Sequence, residues 1–88
     1  MQHETHERAL HRLKIIEGQV RGLMKAVEAD TYCPDLITQS VSIQESLKSF
    51  NAVMLEHHVR THVREQIEAG QLDQVVSELI KIYKLNSK

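Results

Sequence analysis

The stretch from residue 35 to residue 69 constrains the fold most, because it contains neither glycine nor proline. Pro34 suits the first turn of a helix, where its missing N–H would have no partner, and Gly70 suits a helix C-cap. The stretch therefore predicts one helix of about 36 residues, roughly 54 Å long at 1.5 Å per residue. A compact monomer of 88 residues has a diameter of only roughly 30 Å. A helix of that length must lie against a second copy of the chain.

Two shorter helices are predicted on either side of the long one. The first runs from about Thr5 to Ala29, with apolar residues at alternating steps of three and four. The third runs from about Leu72 or Asp73 to Tyr83, and residues 86–88 are expected to fray. The seam predicted for the first helix consists of Leu13, Ile16, Val20, Leu23 and Val27.

Composition excludes several classes of protein. The aromatic content is 3%, too low for a typical β-sandwich, while the hydrophobic content of 41% suits a folded chain. No run approaches eighteen apolar residues and the N-terminus lacks the layout of a signal peptide, so a cytoplasmic protein without a membrane partner is expected. The lone Cys33 excludes an intramolecular disulfide. We expect one all-α domain over residues 1–88, stabilised by an oligomer, a metal or both.

A cysteine and a histidine pair suggest metal chemistry. His58 and His62 are four residues apart, so their imidazoles share one face of a helix, although solvated histidines near a helix end show the same spacing. Together with the Cys33 thiolate they form a soft S/N/N ligand set that suits Cu(I) and also holds Zn, Ni or Co. Cys33 and His58 are roughly 37 Å apart along one helix and cannot meet within a chain. Two antiparallel long helices would bring Cys33 of one protomer beside the histidines of its partner, which gives two symmetric sites.

Two further histidines, His3 and His6, lie ahead of the predicted first helix. One interpretation is a frayed, solvated terminus. The other is a mobile additional ligand, which Ni(II) or Co(II) would need and Cu(I) would not.

Basic residues form a stripe on the first helix. Lys14, Arg21 and Lys25 fall within about 40° of one another, and Arg8 and Arg12 continue the basic surface near the start. Such a stripe is ordinarily a solvated face, and the net charge of −1 does not by itself point to nucleic acid.

The chain resembles the family of copper-sensitive operon repressors (CsoR), which includes nickel/cobalt sensors of the RcnR type and formaldehyde sensors of the FrmR type. The resemblance is carried by residues 12–14 (RLK), 17–22 (EGQVRG), 30–33 (DTYC) and 53–58 (VMLEHH), followed by His62. It implies a three-helix protomer, an antiparallel four-helix-bundle dimer and a tetramer of two dimers. It also implies that the metal-free protein represses a metal-efflux operon until an ion binds.

The resemblance also assigns roles to single residues. Cys33, His58 and His62 match the three ligand positions, while Tyr32 and Glu78 match residues that hydrogen-bond the ligand histidine. Many copper sensors have a cysteine where this chain has His62. The segments DTYC and VMLEHH resemble the copper branch, so Cu(I) is the first expectation. A histidine at position 3 is typical of the nickel/cobalt branch, which leaves an RcnR-type repressor, and Ni(II), Co(II) or Zn(II), as alternatives.

The family reads DNA with the basic face of its helical bundle, so the implied partners are operator double-stranded DNA and other copies of the chain. A metal-binding bundle without DNA binding is a further alternative. An enzyme is not expected, because no oxyanion-hole turn accompanies the Cys–His combination. The DNA-binding candidates are Arg12, Lys14, Arg21, Lys25 and Lys48.

Overall fold

A computed structural model describes residues 1–87 of the chain. Within that range the regular structure is entirely helical, which confirms the predicted all-α class. The elements in chain order are α1 (His3–Glu28), α2 (Cys33–His58), a π-helical segment (Val59–Val63), α3 (Arg64–Glu68) and α4 (Leu72–Asn86).

The predicted long helix is present, and it contains an interruption that the sequence did not predict. Helical structure runs without a gap from residue 33 to residue 68, beginning one residue before Pro34. The five residues Val59–Val63 adopt the π pattern, in which hydrogen bonds join residues i and i+5 rather than i and i+4. The backbone keeps ordinary right-handed angles on both sides, with φ −60° and ψ −44° at His58 and φ −59° and ψ −48° at Arg64. The interruption is therefore a local change of hydrogen-bond register and not a break.

Gly70 ends the long helix as predicted. Its φ of +78° lies in the left-handed region, where a side chain would be strained. The N–H of Gly70 donates to the carbonyl of Ile67 at 3.0 Å, and the N–H of Gln71 donates to the carbonyl of Gln66 at 2.8 Å. These two bonds form a Schellman motif, which satisfies carbonyls at the end of the helix.

Replacing Gly70 with alanine is expected to lower the free energy of unfolding by about 1 kcal/mol, because an L-residue pays that much or more in the left-handed region. Gly70→Asn is the matched control, since asparagine tolerates this conformation and should lose clearly less. Urea denaturation of the three proteins at one protein concentration measures both effects. Equal losses for the two variants would contradict the argument from backbone angle.

The chain divides into two compact units, Met1–Met54 and Leu55–Lys88. The core of the first unit contains Ala9 and Ile16 from α1 and Ile43 and Val53 from α2. A turn over residues 29–32 joins the two helices, with Asp30 at a φ of 54°. The prediction of one domain over residues 1–88 stays a prediction.

The predicted seam of α1 is divided, within one chain, between a covered face and an exposed stripe. Ile16 is buried and Leu23 half-buried, but Leu13, Val20 and Val27 are 39%, 41% and 55% exposed. The exposed trio is rotated by roughly 70° around the helix from the centre of the covered face. Apolar residues on α1 therefore occupy two adjacent stripes, of which one is covered within the chain. The covered or half-covered face consists of Thr5, Ala9, Arg12, Ile16, Gln19, Leu23 and Ala26.

The core of the second unit contains valines from the π segment and from α4. Val63 of the π segment and Val75 of α4 are its most buried residues, at 7% and 3% exposure. Helix α4 extends to Asn86, three residues beyond its predicted end. The Ser87 hydroxyl caps the last turn by donating to the carbonyl of Tyr83 at 2.7 Å, and the expected fraying of Asn86 and Ser87 stays a prediction. The expectation for Lys88 lies outside the described residues. None of the helices in residues 1–87 combines the length and the apolar character needed to cross a membrane.

Candidate metal centre

His58 and His62 lie side by side in the second unit. Their ring centroids are 5.5 Å apart and the ring planes are tilted by 37°. His58 is half-buried at the end of α2, while His62 is exposed in the π segment. The predicted pairing of the two imidazoles on one face is therefore present, and the rings are close enough to approach one ion together.

A third imidazole, His57, belongs to the same cluster. Its ring centroid is 6.2 Å from that of His62 and the two planes are nearly perpendicular, at 82°. Sequence reasoning assigned no role to His57, because residues five apart lie about 140° around an α-helix. The five-residue spacing between His57 and His62 is the signal that could have revealed the contact, but it becomes meaningful only once the π segment is known.

Glu78 of α4 lies next to His58. Its Oε2 is 3.6 Å from Nε2 of His58, and the two side chains are 40% and 28% exposed. The other carboxylate oxygen, Oε1, accepts a hydrogen bond of 3.4 Å from the amide of Gln74, one turn earlier on α4. The carboxylate thus faces one ring nitrogen of His58 and leaves Nδ1 for another partner.

Cys33 and Tyr32 stand in the first unit, where α2 begins. Cys33 is a free, exposed thiol and the first residue of α2. The exposed side chain of Tyr32 precedes it, and the Tyr32 carbonyl accepts hydrogen bonds from the N–H groups of Asp35 at 2.9 Å and Leu36 at 3.3 Å. The thiol is therefore held at a well-formed helix start and is accessible to a ligand from outside the chain.

Over residues 1–87, no three side chains of histidine, cysteine, aspartate or glutamate within a single chain are placed to hold a metal ion. The donor types nevertheless fit a soft ion, because one accessible thiol and two adjacent imidazoles form a set that suits Cu(I). The joint ligation by Cys33, His58 and His62 stays a prediction.

The N-terminal histidines differ from expectation. His3 and His6 do not precede the first helix, because α1 begins at His3. The carbonyl of Gln2 accepts a hydrogen bond of 2.9 Å from the N–H of His6. The negative charge of Glu4 in the first turn interacts favourably with the helix dipole. His3 also lies 3.1 Å from the carboxylate of Glu7. Both histidines thus lie in the first two turns of α1 and do not precede it, and their role as ligands stays a prediction.

The basic candidates are divided between two environments. Lys14, Arg21 and Lys25 are exposed on α1, whereas Arg12 is half-buried on the covered face of that helix. Arg21 pairs with Glu17 at 3.1 Å and Lys48 of α2 with Glu45 at 3.7 Å, each with the side chains largely exposed. Exposed ion pairs of this kind contribute roughly 0–1 kcal/mol to stability. The paired carboxylates of Glu17 and Glu45 therefore compete only weakly with another anion for Arg21 and Lys48.

Comparison with known proteins identifies the family. A protein-family model described as "Metal-sensitive transcriptional repressor" matches residues 5–84. The chain belongs to this family. Membership confirms the resemblance inferred from the sequence, and it confirms that the protein is a metal-responsive transcriptional repressor and not an enzyme.

Individual relatives support the same assignment. The repressor resembles the "Copper-sensing transcriptional repressor CsoR" of Bacillus subtilis (strain 168), with 40% identity over 78 residues, which cover 89% of this chain and 77% of the relative. It is 36% identical over 76 residues to the protein of the same name from Mycobacterium tuberculosis (strain ATCC 25618 / H37Rv). That match covers 86% of this chain and 64% of the mycobacterial protein, so the chain spans less than two thirds of that relative.

A solved structure matches the whole repressor chain. It is the crystal structure of the copper-sensing repressor CsoR with Cu(I) from Geobacillus thermodenitrificans NG80-2. The TM-score is 0.87 at 38% sequence identity, and the match covers 100% of this chain and 92% of the other. The predicted fold class is thus confirmed by a homologous structure as well as by the helices described above.

Proposed function

We propose that this repressor senses Cu(I). The metal-free protein would bind operator DNA, and binding of Cu(I) would release the DNA and allow expression of metal-efflux genes. The observation that carries the proposal is the His58–His62 pair with a carboxylate on Nε2 of His58, in a chain similar to a repressor crystallised with Cu(I). We also propose that residues 1–88 act as one regulatory domain in the cytoplasm, where the thiol ligand stays reduced.

The ligand set of the proposal is shared between two protomers. Cys33 is the first residue and His58 the last residue of α2. Since a helix rises about 1.5 Å per residue, one copy of α2 cannot offer both side chains to the same ion. Antiparallel pairing with a second copy places Cys33 of one protomer near His58 and His62 of its partner, and two-fold symmetry gives two such sites. When bound, Cu(I) would supply bonds that join the two protomers, with Tyr32 next to the thiol ligand.

The surface of the chain supports self-association. Large apolar side chains are exposed on α1, α2 and α4, and the stripe formed by Leu13, Val20 and Val27 on α1 is one example. We propose that such stripes are covered in an antiparallel dimer and in a tetramer of two dimers. The large apolar residues of α1 that are at least 39% exposed are Leu10, Leu13, Ile15, Val20, Met24 and Val27.

The DNA-binding surface of the proposal is the exposed basic stripe of α1. Lys14, Arg21 and Lys25 appear once per protomer, so a tetramer would present each of them four times. Phosphate contacts of this kind are additive and make binding depend on salt. Arg12 belongs to the RLK segment that carries the family resemblance, and Lys48 of α2 adds a further exposed charge.

Glu78 provides the link between the metal site and α4. A carboxylate on the second nitrogen of a ligand histidine fixes the orientation and tautomer of the ring. Here that carboxylate comes from α4 and is itself oriented by Gln74. Ligation through Nδ1 of His58 would tighten the Nε2–Glu78 contact and shift α4, which would change the assembly that presents the basic stripes.

Replacing Glu78 with glutamine is expected to weaken Cu(I) binding by about 10- to 100-fold, the usual cost of losing such a partner. Operator binding by the metal-free variant should be unchanged, while the effect of saturating Cu(I) on operator affinity should shrink. Chelator competition measures the first quantity and fluorescence anisotropy the second. Glu65→Gln, which neutralises an exposed carboxylate of α3, is the matched control and should change neither Cu(I) affinity nor operator affinity nor the effect of Cu(I) on operator affinity. If Cu(I) lowered the operator affinity of Glu78→Gln as much as that of the wild type, the proposed link would be contradicted.

The function is tested by titrating promoter DNA with the protein while following fluorescence anisotropy at several salt concentrations. We expect salt-dependent binding by the metal-free protein and release on addition of Cu(I). Release by Ni(II) or Co(II) and not by Cu(I) would overturn the proposed ion. If the protein bound metal but did not bind DNA specifically, the alternative of a metal-binding bundle without DNA binding would be favoured.

A further inference from the structure

We propose that His57 is a positioning residue of the metal site, whose ring holds His62 in the orientation that ligation needs. The inference rests on the proposed function, because it concerns the same ligand set. It deepens that function by naming a side chain that neither the helical spacing nor the family resemblance connects with the site.

The π segment is what makes His57 a neighbour of His62. In an uninterrupted α-helix, residues four apart are about 40° apart around the axis, and residues five apart about 140°. In the π pattern the hydrogen bonds join residues five apart, so these come to lie one turn above each other. His62, within Val59–Val63, therefore sits over both His58 and His57, at centroid distances of 5.5 Å and 6.2 Å.

The two contacts of His62 differ in geometry and have different consequences. The rings of His58 and His62 are tilted by 37°, whereas those of His57 and His62 stand at 82°. A nearly perpendicular pair of rings is a favourable edge-to-face packing. His57 thus supports the His62 ring by packing against it and need not bind the ion.

Burial decides which ring supports the other. His57 is half-buried, while His62 is exposed and has greater freedom to change rotamer. The backbone around His57 is fixed as well, since its carbonyl accepts a hydrogen bond of 2.8 Å from the part-buried hydroxyl of Thr61. The more restrained ring therefore limits the rotamers of the more mobile one, and metal affinity gains from the preorganised ligand.

The test compares two substitutions that separate ring packing from imidazole chemistry. His57→Phe keeps a flat ring that can pack against His62 but has no ligand atom, and His57→Ala removes the ring. We expect His57→Ala to weaken Cu(I) binding by about tenfold, the low end of the effect of partners that orient a ligand. His57→Phe should stay close to wild type. Affinities are measured by competition with a Cu(I) chelator, and His11→Ala, a change of an exposed histidine on α1, is the control.

A metal-free readout keeps this inference separate from the proposed function. In the metal-free protein, NMR should show cross-relaxation between ring protons of His57 and His62, together with a His62 ring signal that moves in His57→Ala and largely recovers in His57→Phe. Thermal unfolding identifies any variant that loses its fold. Equal Cu(I) affinity in wild type and His57→Ala, or an equal loss in Ala and Phe variants, would overturn the positioning role. Failure of the wild-type protein to bind Cu(I) would instead overturn the proposed function, while the ring packing would still be judged by NMR.

Discussion

Replacing Cys33 with alanine is expected to abolish the response to Cu(I) and to leave operator binding by the metal-free protein intact. Cys33 is the only cysteine in the sequence. Its thiol is exposed at the start of α2, and Cys33 is not one of the buried core residues. Loss of a partner that merely orients a ligand costs about 10- to 100-fold in affinity, so loss of a ligand should cost at least about 100-fold. Cu(I) should no longer release DNA from the variant at concentrations that fully release it from the wild type.

Two measurements separate the outcomes for Cys33. Chelator competition reports Cu(I) affinity, and anisotropy with labelled operator DNA reports repression with and without Cu(I). Cys33→Ser is the conservative companion variant, because a hydroxyl keeps the size of the side chain but is a poor ligand for Cu(I). Retained Cu(I) release in both variants would contradict the ligand assignment. Loss of DNA binding in the metal-free variants would contradict the division between a metal site and a DNA surface.

Removing Lys14 and Lys25 together is expected to weaken operator binding strongly while leaving Cu(I) affinity unchanged. Both side chains are exposed on α1, and neither has an ion-pair partner among residues 1–87. A charge-assisted hydrogen bond to phosphate contributes roughly 1.5 kcal/mol or more, so each phosphate that the variant no longer binds should lower the affinity about tenfold. The dependence of log affinity on log salt should also become shallower by about 0.9 for each such phosphate.

The matched control for this pair is Lys81→Ala with Lys84→Ala. It removes the same charge from exposed positions of α4 and should change operator affinity little. An equal loss in the two double variants would mean that only net charge matters, and the α1 stripe would not be the DNA surface. Arg12→Ala needs a separate measurement of stability, because Arg12 is half-buried and an arginine in such a position can contribute to packing through its aliphatic part.

The sequence predicted the helices well because strong local signals set their ends. Pro34 and Gly70 bracket the long helix, and the left-handed φ of Gly70 confirms why glycine stands there. The errors occurred where a weaker local signal decides the boundary. The carbonyl of Gln2 starts α1 at His3, and the Ser87 hydroxyl helps to extend α4 past Tyr83.

The apolar pattern was less informative about which residues the chain buries. Helix α1 carries two adjacent apolar stripes, and a periodicity of three and four fits either of them. The exposed Leu13 and Val20 therefore entered the predicted seam, while Ala9, which is 7% exposed, and Arg12 did not. Periodicity measures the hydrophobicity of a face and does not tell whether the same chain or another copy covers it.

The candidate site was predictable in its residue types and only partly in its arrangement. Spacing by four brought His58 and His62 together, and the family resemblance pointed to Glu78, which lies beside His58. The contact between His57 and His62 depends on the π pattern, which no composition or capping signal in this stretch announces.

The π segment Val59–Val63 places one more residue in a helical turn than an α-helix does. This extra residue changes the direction in which every later side chain of the same helix points. Each residue advances an α-helix by about 100°, so the side chains of α3 point in directions that an uninterrupted helix would not give them. Val63 is buried in this register and contributes with Val75 to the core of the second unit. Exchange of an exposed side chain such as Val59 changes only local contacts, whereas gain or loss of a residue in Val59–Val63 would rotate α3 as a whole and misalign the core. This part of the structure therefore tolerates a change of chemical identity better than a change of length.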